Sequence, residues 1–201
     1  LTASVLLTAP TPGCAHLSII REWPDSAGSL ESGDRYGHAL AAGDVNGDGF
    51  DDLAVGAPNE DVEPLGDAGA VIVSWGTALG LTHAGAALIT AGSLGFTDHA
   101  GAEFGYALTS GDFNHDGRAD LAIGAPGEDG DAGVVYVLRG EGDGLFYWMD
   151  LNQADAGGAI DAGDRFGAAL AAGNLDGDAE PYADLAVGAP RSRGRAPAAC
   201  A

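Results

Sequence analysis

The sequence repeats itself three times, and that constrains its fold more than any other feature. Each copy carries an aromatic-Gly pair, a short Ala/Leu run, an Asp/Asn-rich loop and an Asp-Leu-Ala-(Val or Ile)-Gly-Ala-Pro run. The aromatic-Gly pairs are Tyr36-Gly37, Phe104-Gly105 and Phe166-Gly167, spaced 68 and 62 residues apart. The Gly-Ala-Pro triplets close at Pro58, Pro126 and Pro190, spaced 68 and 64 apart. The two-residue discrepancy places an insertion inside the third loop. A fixed period of this size points to a solenoid, a propeller or an array, in which each unit buries its apolar face against the next.

Within one period the apolar runs are short and separated by Gly, Asp, Asn and Pro, the punctuation of strands and turns. In the second copy the expected strands are Phe104–Ser110, Leu121–Ala125, Val134–Leu138 and Leu145–Leu151. The run Val134-Val-Tyr-Val-Leu138 is rich in β-formers. No sustained helical period occurs, and 34 glycines in 201 residues disfavour long helices. Four strands per period make one antiparallel sheet, the blade of a β-propeller. The first strands are rich in Ala and Gly, as suits inner edges that converge on an axis. The fold class is therefore all-β, a propeller segment of about three blades. Its repeats fall near 33–91, 101–160 and a partial 163–190. Residues 1–30 are expected to supply late strands of a preceding blade, and 191–201 a tail.

The loop between the first two strands carries the chemistry. In the first copy it places Asp44, Asn46, Asp48 and Asp52 at positions 1, 3, 5 and 9, with Gly49 at position 6. In the second copy Asp112, Asn114, Asp116 and Asp120 stand at the same offsets, with Gly117. Three carboxylates, an amide oxygen and the position-7 backbone carbonyl of Phe50 or Arg118 approach the six to eight oxygens that Ca²⁺ prefers. Without a cation, carboxylates this close repel. The first half of the loop follows EF-hand spacing. The second half does not, because no Glu stands at position 12 and a strand follows. The site is thus expected to clip strands of one sheet together, in a structural role. The third loop offers Asn174, Asp176, Asp178 and Asp184, but Ala179 replaces the turn glycine and the last Asp is delayed. Two Ca²⁺ sites are expected and a third is left open. The competing reading is that Asx-rich turns simply hydrogen-bond their own backbone.

The aromatic-Gly pair, the acidic loop and the Gly-Ala-Pro close together resemble FG-GAP repeats. These build the N-terminal β-propeller of integrin α subunits and related bacterial secreted proteins. The resemblance covers residues 30 to 190. It implies a propeller, calcium in the loops between strands one and two, and an extracellular setting for recognition or cell adhesion. It also implies that partner-binding loops lie on the face opposite the calcium loops. Here those are Asn59–Gly69 and Gly127–Gly133, with the blade-to-blade links Gly92–Glu103 and Gly157–Asp164. Nothing in them names a protein or glycan ligand.

Charge removes other classes. Eight basic residues, all Arg, against thirty acidic ones give a net charge of −22. Such a chain lacks the cations needed for nucleic acid or anionic lipid, and no apolar run reaches the roughly 18 residues that span a bilayer. His16, His38, His83, His99 and His115 fall in no ligand spacing. His115, at a non-ligand position of the second loop, is expected to point outward. No nucleophile elbow or phosphate-cradling motif is present, so no enzyme is expected. Trp23, Trp75 and Trp148 are expected to pack between blades, with a sugar-stacking platform as the other reading. Cys14 and Cys200 are read as free thiols or as a bond between the chain ends.

Propellers generally need at least four blades. The expectation is that more chain, or a second copy in a six-bladed dimer, completes the ring. The main functional expectation is a calcium-binding, non-enzymatic recognition module. Its rivals are a structural spacer in a surface protein and a calcium-dependent phosphohydrolase.

Overall fold

A computed structural model describes residues 4–11, 14–20, 33–177 and 182–192. Trp23, Asp178, Cys200 and the tail from 193 onward lie outside them.

The described chain is almost wholly antiparallel β. An N-terminal hairpin pairs β1 (Ser4–Thr11) with β2 (Cys14–Ile20), Ser4 opposite Ile20. A four-stranded meander follows: β3 (Leu40–Gly43), β4 (Asp52–Ala57), β5 (Ala70–Trp75) and β6 (Thr82–Ile89). The second meander is β7 (Ala107–Gly111), β8 (Asp120–Ala125), β9 (Val134–Glu141) and β10 (Gly144–Leu151). The third repeat contributes β11 (Ala169–Gly173) and β12 (Asp184–Gly188). Among the described residues helix is limited to one 3₁₀ turn at Gly92–Leu94 and one left-handed turn, α1 (Glu128–Asp131), with φ of +52° at Asp129, +71° at Gly130 and +65° at Asp131. The two meanders are β-propeller blades, and the first strands β3, β7 and β11 pack side by side.

Period-two alternation explains how the blades stack. Leu121 and Ile123 of β8, with Tyr136 and Leu138 of β9, join Ala54, Val71 and Val73 of the first blade in one core. The alternate residues Ala122, Val135 and Val137 join Phe166, Leu170, Leu185 and Val187 of the third repeat. Each aromatic of the aromatic-Gly pair enters a core; Phe104 is 1% exposed. Burying a ring of that size contributes about 2–3 kcal/mol. The strand begins at Ala107, later than the expected Phe104, because Phe104 is held elsewhere. Its N–H donates to Ala68 O at 3.0 Å, and Gly69 bridges to Phe104 in parallel.

The same seam recurs one blade later, where Phe166 N–H donates to Ala132 O at 2.8 Å. Both acceptors lie in an Asp-Ala-Gly triplet, 67–69 and 131–133, just before the third strand of a blade. Gly69 and Gly133 have φ of +86° and +89°, and a Cβ on either would collide with the backbone of the incoming aromatic. Arg165 adds a polar tie. It donates to Glu103 and to Asp131 (3.2 Å) and lies 5.4 Å over the Tyr106 ring.

The inner strands carry small side chains for the same steric reason. A Cβ on Gly111 would lie 2.8 Å from that of Ala183 and 3.3 Å from that of Ala172. Ser110 Oγ donates to Ala42 O at 2.6 Å, joining β7 to β3. Trp75 meets its expectation: it packs against the core between the blades and donates Nε1–H to Gly85 O at 2.7 Å. Trp148 departs from it. It stays 36% exposed on the outermost strand β10, where the register shifts between Tyr147 and Met149.

Candidate metal centre

The loops that join β3 to β4 and β7 to β8 fold alike. Asp44 Oδ1 accepts from the N–H of Gly47 (2.7 Å) and Asp48 (3.0 Å), and its Oδ2 from Gly49 (2.8 Å). Asp112 accepts in the same way from Asp116 (3.1 Å) and Gly117 (2.9 Å). Asn46 Oδ1 accepts from Asp48 N–H at 2.8 Å and Asn114 Oδ1 from Asp116 N–H at 2.9 Å. Asp48 Oδ1 takes the N–H of Phe50 and Asp116 Oδ1 that of Arg118, each at 2.9 Å. The position-6 glycines have the left-handed backbone expected, with φ of +90° at Gly49 and +85° at Gly117.

Position 4 is left-handed too, filled by Gly47, His115 and Gly177 at φ of +76°, +59° and +71°. The glycines at 47 and 177 were the available signal for it. His115 accepts this conformation while exposed, its ring 5.2 Å from Tyr182 of the next repeat.

Asp52 and Asp120, at position 9, do something the sequence reading missed. They are 2% and 0% exposed. Asp52 Oδ2 accepts from Val45 N–H (3.1 Å) and Oδ1 from Gly76 N–H (2.8 Å). Asp120 likewise accepts from Phe113 and Gly140, each at 2.9 Å. Each carboxylate thus latches the start of its loop to the end of the third strand. Burial pushes both carboxyls above the ordinary carboxylate range, and these N–H donors oppose it. The charges of Asp48 and Asp44 raise Asp52 further, and those of Asp116 and Asp112 raise Asp120. The acids of each loop therefore share one electrostatic neighbourhood.

The third loop keeps part of this scheme. Asp184 Oδ2 accepts from the N–H of Leu175 (2.6 Å) and Asp176 (3.1 Å), and Asn174 Oδ1 from Gly177 (2.7 Å). Residues 178–181, with Asp178 among them, lie outside the described residues.

The donors are hard oxygens, the kind that suit a hard divalent cation. In the form described, the carboxylates are turned onto the loop amides. No group of three or more His, Cys, Asp or Glu side chains is gathered as a metal cage among the described residues. The hydrogen-bonded Asx-turn arrangement is thus present. Successive loops also touch: Ala119 N–H donates to Asp44 O and Ala183 N–H to Asp112 O, each at 2.9 Å.

The sequence matches the FG-GAP repeat family over residues 36–74 and 104–138, the first two repeats. It is 37% identical over 168 residues to integrin alpha-PS2 of Drosophila melanogaster, an alignment covering 78% of this chain and 12% of the relative. It is 34% identical over 165 residues to integrin alpha-4 of Xenopus laevis, covering 81% of this chain and 15% of the relative. A phosphatidylinositol-glycan-specific phospholipase D of Bos taurus is 34% identical over 168 residues, covering 80% of this chain and 19% of that protein. The chain thus spans less than a fifth of the length of these relatives.

Proposed function

This chain is an FG-GAP repeat protein built of β-propeller blades, and on that premise we propose that it is a calcium-rigidified, non-enzymatic recognition module working outside the cell. One observation carries the calcium reading: two successive blades present the same oxygen donors on the same hydrogen-bonded loop scaffold. The proposed ligands are Asp44, Asn46, Asp48, Asp52 and the Phe50 carbonyl in one loop. In the next they are Asp112, Asn114, Asp116, Asp120 and the Arg118 carbonyl. Asn174, Asp176, Asp178 and Asp184 are the proposed third set. A bound Ca²⁺ supplies two positive charges that offset the mutual repulsion of the carboxylates. The chain's own part is to hold the loop: the Asp52 and Asp120 latches fix its ends, and Gly49 and Gly117 turn it.

The likeness to integrin alpha chains supports adhesion-related recognition, with a protein or glycan as ligand. More chain or a second copy would complete the ring. No helix among the described residues is long and apolar enough to cross a membrane. The phospholipase D match covers a fifth of that enzyme and most of this chain, so it supports shared blades and not a shared active site. Equilibrium dialysis against Ca²⁺ tests the metal reading; two or three bound ions per chain are expected, and none would overturn it. An array of extracellular proteins and glycans, probed in Ca²⁺, separates recognition from a spacer, which would bind nothing.

A further inference from the structure

The outer strand of the second blade carries Phe146-Tyr147-Trp148, exposed by 40%, 38% and 36%. Tyr147 pairs with Leu138 and Met149 with Val137, so Trp148 is the extra residue of a β-bulge and has no cross-strand partner. Bulges re-aim side chains, and they gather near functional sites. The first blade supplies an internal control. Aligning the ends of the outer strands, Ile89 with Leu151, sets Ala84, Gly85 and Ala86 against these aromatics. In the first blade the aromatic beside that stretch is Trp75 of the neighbouring strand, which donates to Gly85 O, so the outer strand itself has no counterpart of Trp148. Tyr147 has local company, with Phe96 at 5.1 Å and Asp150 accepting its hydroxyl at 2.6 Å. Trp148 instead borders an open depression of about 600 Å³, shared with Asn114, Asp116, Arg118, Arg139, Glu141 and Gly142.

That lining joins one large flat apolar surface to a ring of planar hydrogen-bonding groups. Arg139 pairs with Glu141 at 2.7 Å, and Arg118 lies 3.9 Å from Asp116. Arg139 is matched by Glu141, and with Ca²⁺ in the second loop the charges of the ion and of Arg118 together balance Asp112, Asp116 and Asp120, so the depression carries no net charge. A pyranose ring has the complementary make-up: an apolar C–H face to lie on an indole, and an edge of hydroxyls that both donate and accept. Arg supplies donors, and the Glu141 carboxylate supplies acceptors.

We propose that Trp148, with Arg139, Glu141 and Arg118, forms a subsite for a neutral hexose unit of a glycan. The inference rests on the recognition reading above and names its ligand class. Acidic glycans are disfavoured, because the site is charge-balanced on a chain of net charge −22.

The test is an array of neutral, sialylated and sulfated glycans probed with the whole chain in Ca²⁺. Titration with methyl glycosides of glucose, galactose, mannose and N-acetylglucosamine follows, read by tryptophan fluorescence. The expected result is saturable binding of at least one neutral glycan. Trp148→Ala should weaken it tenfold or more at an unchanged melting temperature, Trp148→Tyr should retain it within a few-fold, and Glu141→Gln should weaken it without touching the indole. Absence of neutral-glycan binding, binding confined to acidic glycans, or binding that survives Trp148→Ala would overturn the proposal. Capture of an extracellular protein with no glycan bound would leave the recognition reading standing and remove this one.

Discussion

Gly56 and Gly105 meet backbone to backbone across the boundary between the first two blades. A Cβ on Gly56 would collide with the Gly105 carbonyl oxygen. Gly124 and Gly167 repeat the contact at the next boundary. Within a blade the relation is a hydrogen bond: Gly37, Gly105 and Gly167 donate N–H to the carbonyls of Gly56, Gly124 and Gly188 at 3.0, 3.1 and 3.0 Å. The aromatic-Gly and Gly-Ala-Pro motifs are thus the two halves of one seam that runs from blade to blade.

Gly56→Ala should therefore destabilise the protein by about 2–4 kcal/mol, since the colliding atom is backbone and cannot rotate away. Gly49→Ala is the contrast. Its Cβ meets open space, and only the left-handed backbone (φ +90°) objects, which costs about 1 kcal/mol. Urea denaturation of both variants decides the point, and equal losses would contradict the seam.

Phe104 sits at 1% exposure between the blades. Phe104→Ala should cost about 3–5 kcal/mol. Phe50, 42% exposed on the first acidic loop, should tolerate Ala within about 0.5 kcal/mol. The same denaturation series measures both, and a small loss at Phe104 would deny that its ring anchors the seam.

Asp52 and Asp48 separate latch from ligand. In EDTA, Asp52→Ala strands two N–H groups, at Val45 and Gly76, and should cost about 2–4 kcal/mol. Exposed Asp48 should cost under about 1 kcal/mol there. In Ca²⁺ the Asp48→Ala loss should grow. Chemical denaturation in both buffers measures this; an Asp48 loss that ignores calcium would remove that residue from the ligand set.

His99, in the link between the blades, hydrogen-bonds Glu128 of α1. That bond and the Glu128 charge raise the imidazole above its ordinary 6.5, burial opposes, and Asp129 and Asp98 add smaller pulls. The folded state therefore holds the proton more tightly than the unfolded chain. The stabilisation is complete below pH 6.5 and is lost as pH rises through the folded value. The His99 side chain is 54% exposed, so the effect should stay under about 1 kcal/mol. Melts from pH 5.5 to 9 in EDTA should fall more steeply for the parent chain than for His99→Gln. Parallel curves would contradict the pairing.

Much of this was legible in the sequence because the repeat displays it three times. The strand positions, the small inner strands and the left-handed position-6 glycines follow from pattern alone. Less legible was what spans the repeats. Nothing in Gly56 announces that its neighbour is Gly105, since the contact is between backbones and leaves no apolar period. The Asp-Ala-Gly triplets at 67–69 and 131–133 were visible as a second repeated motif. Their role as docking sites for Phe104 and Phe166 appears only once blades are stacked. Asp52 and Asp120 read as loop ligands alone because spacing cannot report burial, and burial is what makes them latches as well. Trp148 escaped the interblade expectation because a bulge, not the alternation, sets its direction.

Calcium in the loops is the central claim, and a thermal melt of the whole chain at fixed salt, in excess Ca²⁺ against EDTA, tests it most directly. Each filled site should add about 2.7 kcal/mol when Ca²⁺ is a hundredfold above its Kd. Two sites should then raise the midpoint by many degrees, with Mg²⁺ failing to match it and Asp48→Ala/Asp116→Ala abolishing the rise. Identical midpoints in Ca²⁺ and EDTA would contradict the account and leave the acidic loops as self-bonded turns.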